Sequence, residues 1–161
     1  DHPLRQTGRA PQLVAGNAAS GIIIIADQPE PPESEGARLR SRMLAAIGLG
    51  QDNHGIINLL PWPTLGNAPP RELQIADFAP FVARALTLAR PVLLLALGER
   101  AASLAGPVRG IASARGRWRD IGGVPLLTTY HPRSLLAQPN HKALAWADLQ
   151  AFAERIPGKT R

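Results

Sequence analysis

Cysteine is absent from all 161 residues, aromatic side chains make up only 4% of them, and apolar residues never gather into an unbroken membrane-length run. Without thiols the chain can form no disulfide framework, no thiolate zinc site and no cysteine-ligated iron–sulfur cluster. Without about twenty consecutive apolar residues it offers no membrane-spanning helix. The opening Asp1-His2-Pro3-Leu4-Arg5 lacks the basic-then-apolar order and the cleavage site of a signal peptide, so a soluble, cytoplasmic protein is expected. There is no initial Met, which leaves room for a preceding natural segment. The four histidines show no metal-ligand spacing, and no bound metal is expected. Acidic residues are also scarce, 12 against 18 Lys and Arg. The resulting net charge of +6 favours an acidic partner, nucleic acid above all.

What is present is order. Four short runs rich in Ile, Val and Leu, at 22–26, 55–60, 92–97 and 124–130, are bounded by turn residues and lack polar alternation. Such runs are strands buried on both faces of a parallel sheet. Helical periodicity fills the gaps at 35–47, 71–89, 99–104 and 141–156, the last with Trp146, Leu149, Phe152 and Ile156 as a core face. Strand and helix alternate throughout, so the fold is expected to be α/β, a three-layer α/β/α sandwich with a central parallel sheet of about four strands. Residues 1–20 read as an N-terminal arm with a short edge strand at 12–15, residues 21–156 as the single domain, and residues 157–161 as a tail. Stretches 28–34, 61–70 and 106–123 read as loops.

Two phosphate-loop look-alikes fail. Gly158-Lys159-Thr160 has Ala153 where the first glycine belongs and no following helix, while Gly48-Leu49-Gly50 follows a helix instead of a strand. No cofactor is expected.

In an open α/β sheet the ligand crevice lies beyond the carboxyl ends of the strands. The first strand exits into Asp27, the second carries Asn58 near its end, and the fourth exits into His131. Asp27 suits a general base, a water-positioning carboxylate or a ribose ligand, or a turn cap. Asn58 could read a base or amide edge, or satisfy buried backbone groups. His131 could donate to a developing oxyanion, or be structural. The run Arg115-Gly116-Arg117-Trp118-Arg119 reads either as a phosphate-contacting loop with a stacking ring or as a solvated hairpin with Trp118 turned inward.

Three segments in order carry a family resemblance: residues 57–69, Ile-Asn-Leu-Leu-Pro-Trp-Pro-Thr-Leu-Gly-Asn-Ala-Pro; residues 90–102, beginning Arg-Pro-Val-Leu-Leu-Leu; and residues 129–136, Thr-Tyr-His-Pro-Arg-Ser-Leu-Leu, with Ala-Trp-Ala-Asp-Leu at 145–149. Together they resemble the uracil-DNA glycosylase superfamily, most closely its iron–sulfur-containing family 4. The resemblance implies a DNA-binding enzyme that flips a uracil or related damaged nucleotide out of the duplex and hydrolyses its N-glycosidic bond. Carried residue by residue, it makes Asp27 and His131 catalytic and assigns base reading to Asn58 and Gln28. Arg133, Ser134, Leu135 and Leu136 become a DNA-entering loop, with one leucine as wedge, and Arg115, Arg117 and Arg119 further DNA contacts. A monomer is expected.

The chain departs from the family pattern at five places. Asp27 replaces a glutamate, Glu30 replaces a glycine, the family's Pro-Phe-Val-Gly-Arg stretch has no counterpart between Pro31 and Arg38, and Trp62 and Phe78 occupy two cluster-cysteine positions. These mark a cluster-free member, and Glu30 with the missing stacking Phe keeps open a degenerate one that binds nucleic acid or a base without cleavage. A small-molecule binder using the same crevice is the third reading.

Overall fold

The computed structural model describes residues 2–5 and 8–158, so parts of the expected arm and tail, and most of the 158–160 look-alike, lie outside the described residues. Six strands form one sheet: β1 (Val14–Gly16), β2 (Ile22–Ala26), β3 (Gly55–Asn58), β4 (Leu93–Leu97), β5 (Trp118–Ile121) and β6 (Val124–Thr129), in the order β1-β3-β2-β4-β6-β5. The four apolar runs supply the parallel centre, β3-β2-β4-β6. Two antiparallel edges complete it, β1 on β3 and β5 on β6.

The helices are α1 (Glu35–Ala46), α2 (Glu72–Ala89), α3 (Glu99–Ala102), α4 (Ile111–Ala114), α5 (Pro132–Ala137) and α6 (Lys142–Glu154). Strand alternation sorts the core into two halves. Ile22, Ile24, Leu93, Leu95 and Leu127 face Leu44 and Ile47 at α1 and Leu149 and Phe152 of α6. Ile23, Ile25, Ile57, Leu94 and Leu126 face Val82 of α2 and Ala101, Ala102 and Ala114 of α3 and α4. Each fully buried Ile or Leu in these layers contributes about 2 kcal/mol.

This packing locates the crevice. The chain leaves β2 through α1 on one face and leaves β4 through α3 and α4 on the other, although β2 and β4 are neighbours. Their carboxyl ends therefore form a topological switch point, where connections diverge and leave a gap.

The structure also corrects several expectations. Residues 106–123 are not a continuous loop: they contain α4 and β5, and β5 turns into β6 through Gly122 and Gly123 at φ 56° and 88°, a tight hairpin that only glycine-like backbones make without strain. Residues 133–136 are a helical turn with Pro132 at its start. The edge strand sits at Val14–Gly16, and Trp146 is 42% exposed, off the α6 core face. Among the described residues, no helix is long and apolar enough to cross a membrane.

Candidate active site

Asp27 leaves β2 directly into the switch-point crevice and is only 3% exposed. Its Oδ1 is buried without a hydrogen-bond partner; its Oδ2 lies 3.6 Å from Arg133 Nη2 and 3.9 Å from His131 Nε2. Burial pushes its pKa up to about 6, partly offset by Arg100 and Arg133 and reinforced by Glu30 and Glu99. At neutral pH it is a carboxylate, one more basic than an exposed aspartate.

His131 lies two residues beyond β6 and is the N-cap of α5. Its Nδ1 accepts from the backbone N–H of Arg133 at 3.0 Å. In the neutral ring the proton must then reside on Nε2. That nitrogen faces two carboxylates, Asp27 Oδ2 and Glu30 Oε2, each at 3.9 Å, too far for direct hydrogen bonds. Burial, followed by the guanidiniums of Arg133, Arg40 and Arg100, lowers its pKa to about 3, so the imidazole stays neutral. A neutral N–H aimed into a cleft can stabilise a developing oxyanion without giving up its proton. Gly98, at φ 93°, lets the exit of β4 press against this ring: a Cβ there would lie 3.3 Å from His131 Cβ.

Asp27 and His131 share a cleft of about 390 Å³ with Pro69, Gly98, Glu99, Arg100, Ile111, Arg133 and Ser134. Arg100 Nε donates to the Pro70 carbonyl at 2.9 Å, fixing one wall. A larger cleft of about 830 Å³ lies between residues 8–12, 29–34 and 61–67. Glu30 lines this larger cleft and reaches toward His131 in the smaller one, so it stands between them.

The remaining expected residues divide. Asn58, paired in register with Ala26, has Nδ2 bonded to the Gln12 carbonyl at 2.8 Å, while its buried Oδ1 has no partner. It does not line the cleft of Asp27 and His131. Gln28 is turned away: Nε2 donates to Asn67 Oδ1 and the Ala68 carbonyl, and Oε1 accepts from the Thr64 N–H at 2.7 Å. Its amide braces the 64–68 loop instead of being held free for a base.

The residues expected to contact DNA differ in their packing. Leu135 is 1% exposed, packed with Leu39, Tyr130 and Ala145, and cannot serve as a wedge; Leu136, at 37%, is the available one. Arg133 points inward, Nη1 donating to the Asn67 carbonyl at 2.8 Å. Ser134 Oγ donates to the His131 carbonyl. Arg115 binds Asp148 through Nε and Nη2 at 3.1 and 2.5 Å, and Arg119 donates to the carbonyls of Ala102, Ala105 and Pro107. Trp118 stacks on Phe152 with Arg155 3.8 Å above its ring. Of the basic run only Arg117 is exposed and without such a tie. Sequence reasoning missed Arg100 and Arg40 because nothing in their local pattern announces a partner; Gly98-Glu99-Arg100 at a strand exit was the available signal.

Where family 4 would place cluster cysteines, Trp62 and Phe78 meet edge to face at 6.3 Å, and His2 lies 4.6 Å from Phe78. Rings without thiolates cannot ligate a cluster, so an iron–sulfur group does not fit these residues.

Comparison with known proteins identifies the family. Over 98% of its length the chain is 22% identical to a DNA polymerase of Bacillus phage SP01, of which it spans only 18%. It is 26% identical to the type-4 uracil-DNA glycosylase of Saccharolobus solfataricus, over 89% of this chain and 75% of that one. It is 24% identical to the type-4 uracil-DNA glycosylase of Archaeoglobus fulgidus, over 86% and 78% respectively. The family model described as the uracil DNA glycosylase superfamily matches residues 8–150, nearly the whole domain, and the chain belongs to that superfamily.

Proposed function

We propose that this protein is a DNA N-glycosidase that releases uracil or a related damaged base after the nucleotide is flipped from the stack. The observation that carries this reading is the pairing of an ionised, under-bonded Asp27 with a neutral His131 whose Nε2–H enters the same cleft. As the glycosidic bond lengthens, its electron pair moves to the base and positive charge gathers on the sugar. The Asp27 carboxylate stabilises that cation and accepts the proton of the water that adds to C1′. His131 donates Nε2–H to the base carbonyl that gains charge.

The net charge of +6 supports backbone contacts, and the exposure of Leu136 supports it as the wedge that fills a vacated stack. A second reading, a member that binds without cleaving, is favoured by Glu30, whose side chain already occupies the space beside His131. Incubation with uracil-containing single- and double-stranded oligonucleotides, followed by alkaline cleavage of abasic sites, separates the two. Strand scission that disappears in Asp27→Ala and His131→Ala supports the glycosidase. Binding without scission at high protein excess supports the non-cleaving alternative.

A further inference from the structure

We propose that Glu30 determines substrate specificity in this site, disfavouring bases that depart as anions and favouring a cationic, N-alkylated purine that departs neutral. The inference rests on the glycosidase reading and narrows its substrate class. The carboxylate of Glu30 is 5% exposed. Its Oε2 is 3.9 Å from His131 Nε2, the same separation as Asp27 Oδ2. Its other oxygen rests against α1, where a Cβ on Gly36 would lie 2.8 Å from Oε1. Asp27 adds a second carboxylate whose buried Oδ1 has no partner and borders the cleft. A base placed on the His131 donor therefore lies close to two carboxylates.

Charge decides what such a place accepts. When the C1′–N bond of a uracil nucleotide breaks, the electron pair leaves with the base as an anion, and two carboxylates beside it oppose that charge. When the base is a purine alkylated on the ring, such as 7-methylguanine, the same pair neutralises an existing cation. Water adds to C1′, its proton passes to Asp27, and the base departs uncharged. The carboxylates then attract the bound cation and do not penalise its departure. Arg133, Arg40 and Arg100 balance the cluster as a whole, but the two carboxylates are the groups found 3.9 Å from the donor nitrogen.

The test compares base release from matched oligonucleotides carrying one uracil or one 7-methylguanine, each corrected for spontaneous loss without protein. Wild type is expected to release 7-methylguanine at least tenfold faster than uracil. Glu30→Gln removes the charge and is expected to lower that ratio at least tenfold, chiefly by raising uracil release. Gly36→Ala reaches the same end independently, because a helix-compatible methyl displaces the carboxylate from its seat while keeping its charge, and a smaller shift in the same direction is expected. Uracil released as fast as 7-methylguanine by wild type, or a ratio unmoved by both substitutions, overturns the proposal and leaves the glycosidase reading standing. Release of neither base by any of the three proteins, with folding verified by thermal melting, overturns both.

Discussion

Two buried carboxylates, Asp148 and Asp27, are held on opposite principles. Asp148 is 2% exposed and fully engaged: Arg115 grips both of its oxygens, and Thr129 Oγ1 donates to Oδ2 at 2.8 Å. Asp27 is 3% exposed, has one oxygen without any partner, and stands 3.6 to 3.9 Å from the groups nearest the second. A buried carboxylate that is completely hydrogen-bonded holds elements together. One left short of partners carries a desolvation cost that only a ligand, water or transition state relieves. Geometry thus separates a fully bonded carboxylate from an under-bonded one where composition could not.

The sharpest way to break the comparison is at the donor. His131→Asn keeps a good helix cap but removes the Nε2–H, and should lower base release by about 10³-fold with little change in fold; a loss below tenfold would remove His131 from the chemistry. Next in size, Asp148→Ala should strand Arg115 and cost about 3 kcal/mol, seen as a lowered Tm. Rates per folded molecule should stay unchanged. Asp27→Asn should do the reverse, abolishing release while raising stability by about 3 kcal/mol at pH 7, because the carboxylate no longer has to be buried charged. An unchanged or lowered Tm would show that the carboxylate is better satisfied than its neighbours suggest.

Proton linkage sharpens the contrast further. With the Asp27 pKa raised to about 6, release should rise with pH to a plateau above about 6, measured as single-turnover rates. For stability, the His131 pKa is lowered from 6.5 to about 3, so the unfolded chain binds the proton first. That contribution is present above pH 6.5 and is lost as pH falls toward 3. Asp27 works against it: its raised pKa favours the folded state as acid is added, between about 6 and 3.8. The acid-induced drop in Tm should therefore shrink in His131→Asn and grow in Asp27→Asn. The smallest effect belongs to the surface, where Arg117→Ala should weaken DNA binding only slightly and flatten its salt dependence by less than one unit of slope.

The four central strands were legible because a strand buried on both faces must be continuously apolar, as Ile22 to Ile25 and Leu93 to Leu97 are. The β5 strand was not, because Trp118-Arg119-Asp120-Ile121 is a half-buried edge whose polar residues look like loop. Asp27 and His131 could be placed from strand exits alone, since topology brings those exits together. The intramolecular partners of Arg115, Arg119 and Gln28 were not legible because a side chain's partner is set by tertiary proximity: Asp148 is 33 residues from Arg115, and Thr64 is 36 from Gln28. Leu135 and Leu136 are neighbours in one helical turn, and only the turn's orientation decides which enters the core.

The bond from the Arg133 N–H to His131 Nδ1 carries one last consequence. It makes the tautomer a by-product of folding. The cap bond that starts α5 favours Nδ1 as acceptor, so the folded state favours the tautomer with its proton on Nε2. The coupling also runs backwards. An acid strong enough to charge the ring removes the acceptor that starts the helix, so loss of the donor's neutral state and fraying of the first turn of α5 should occur as a single event.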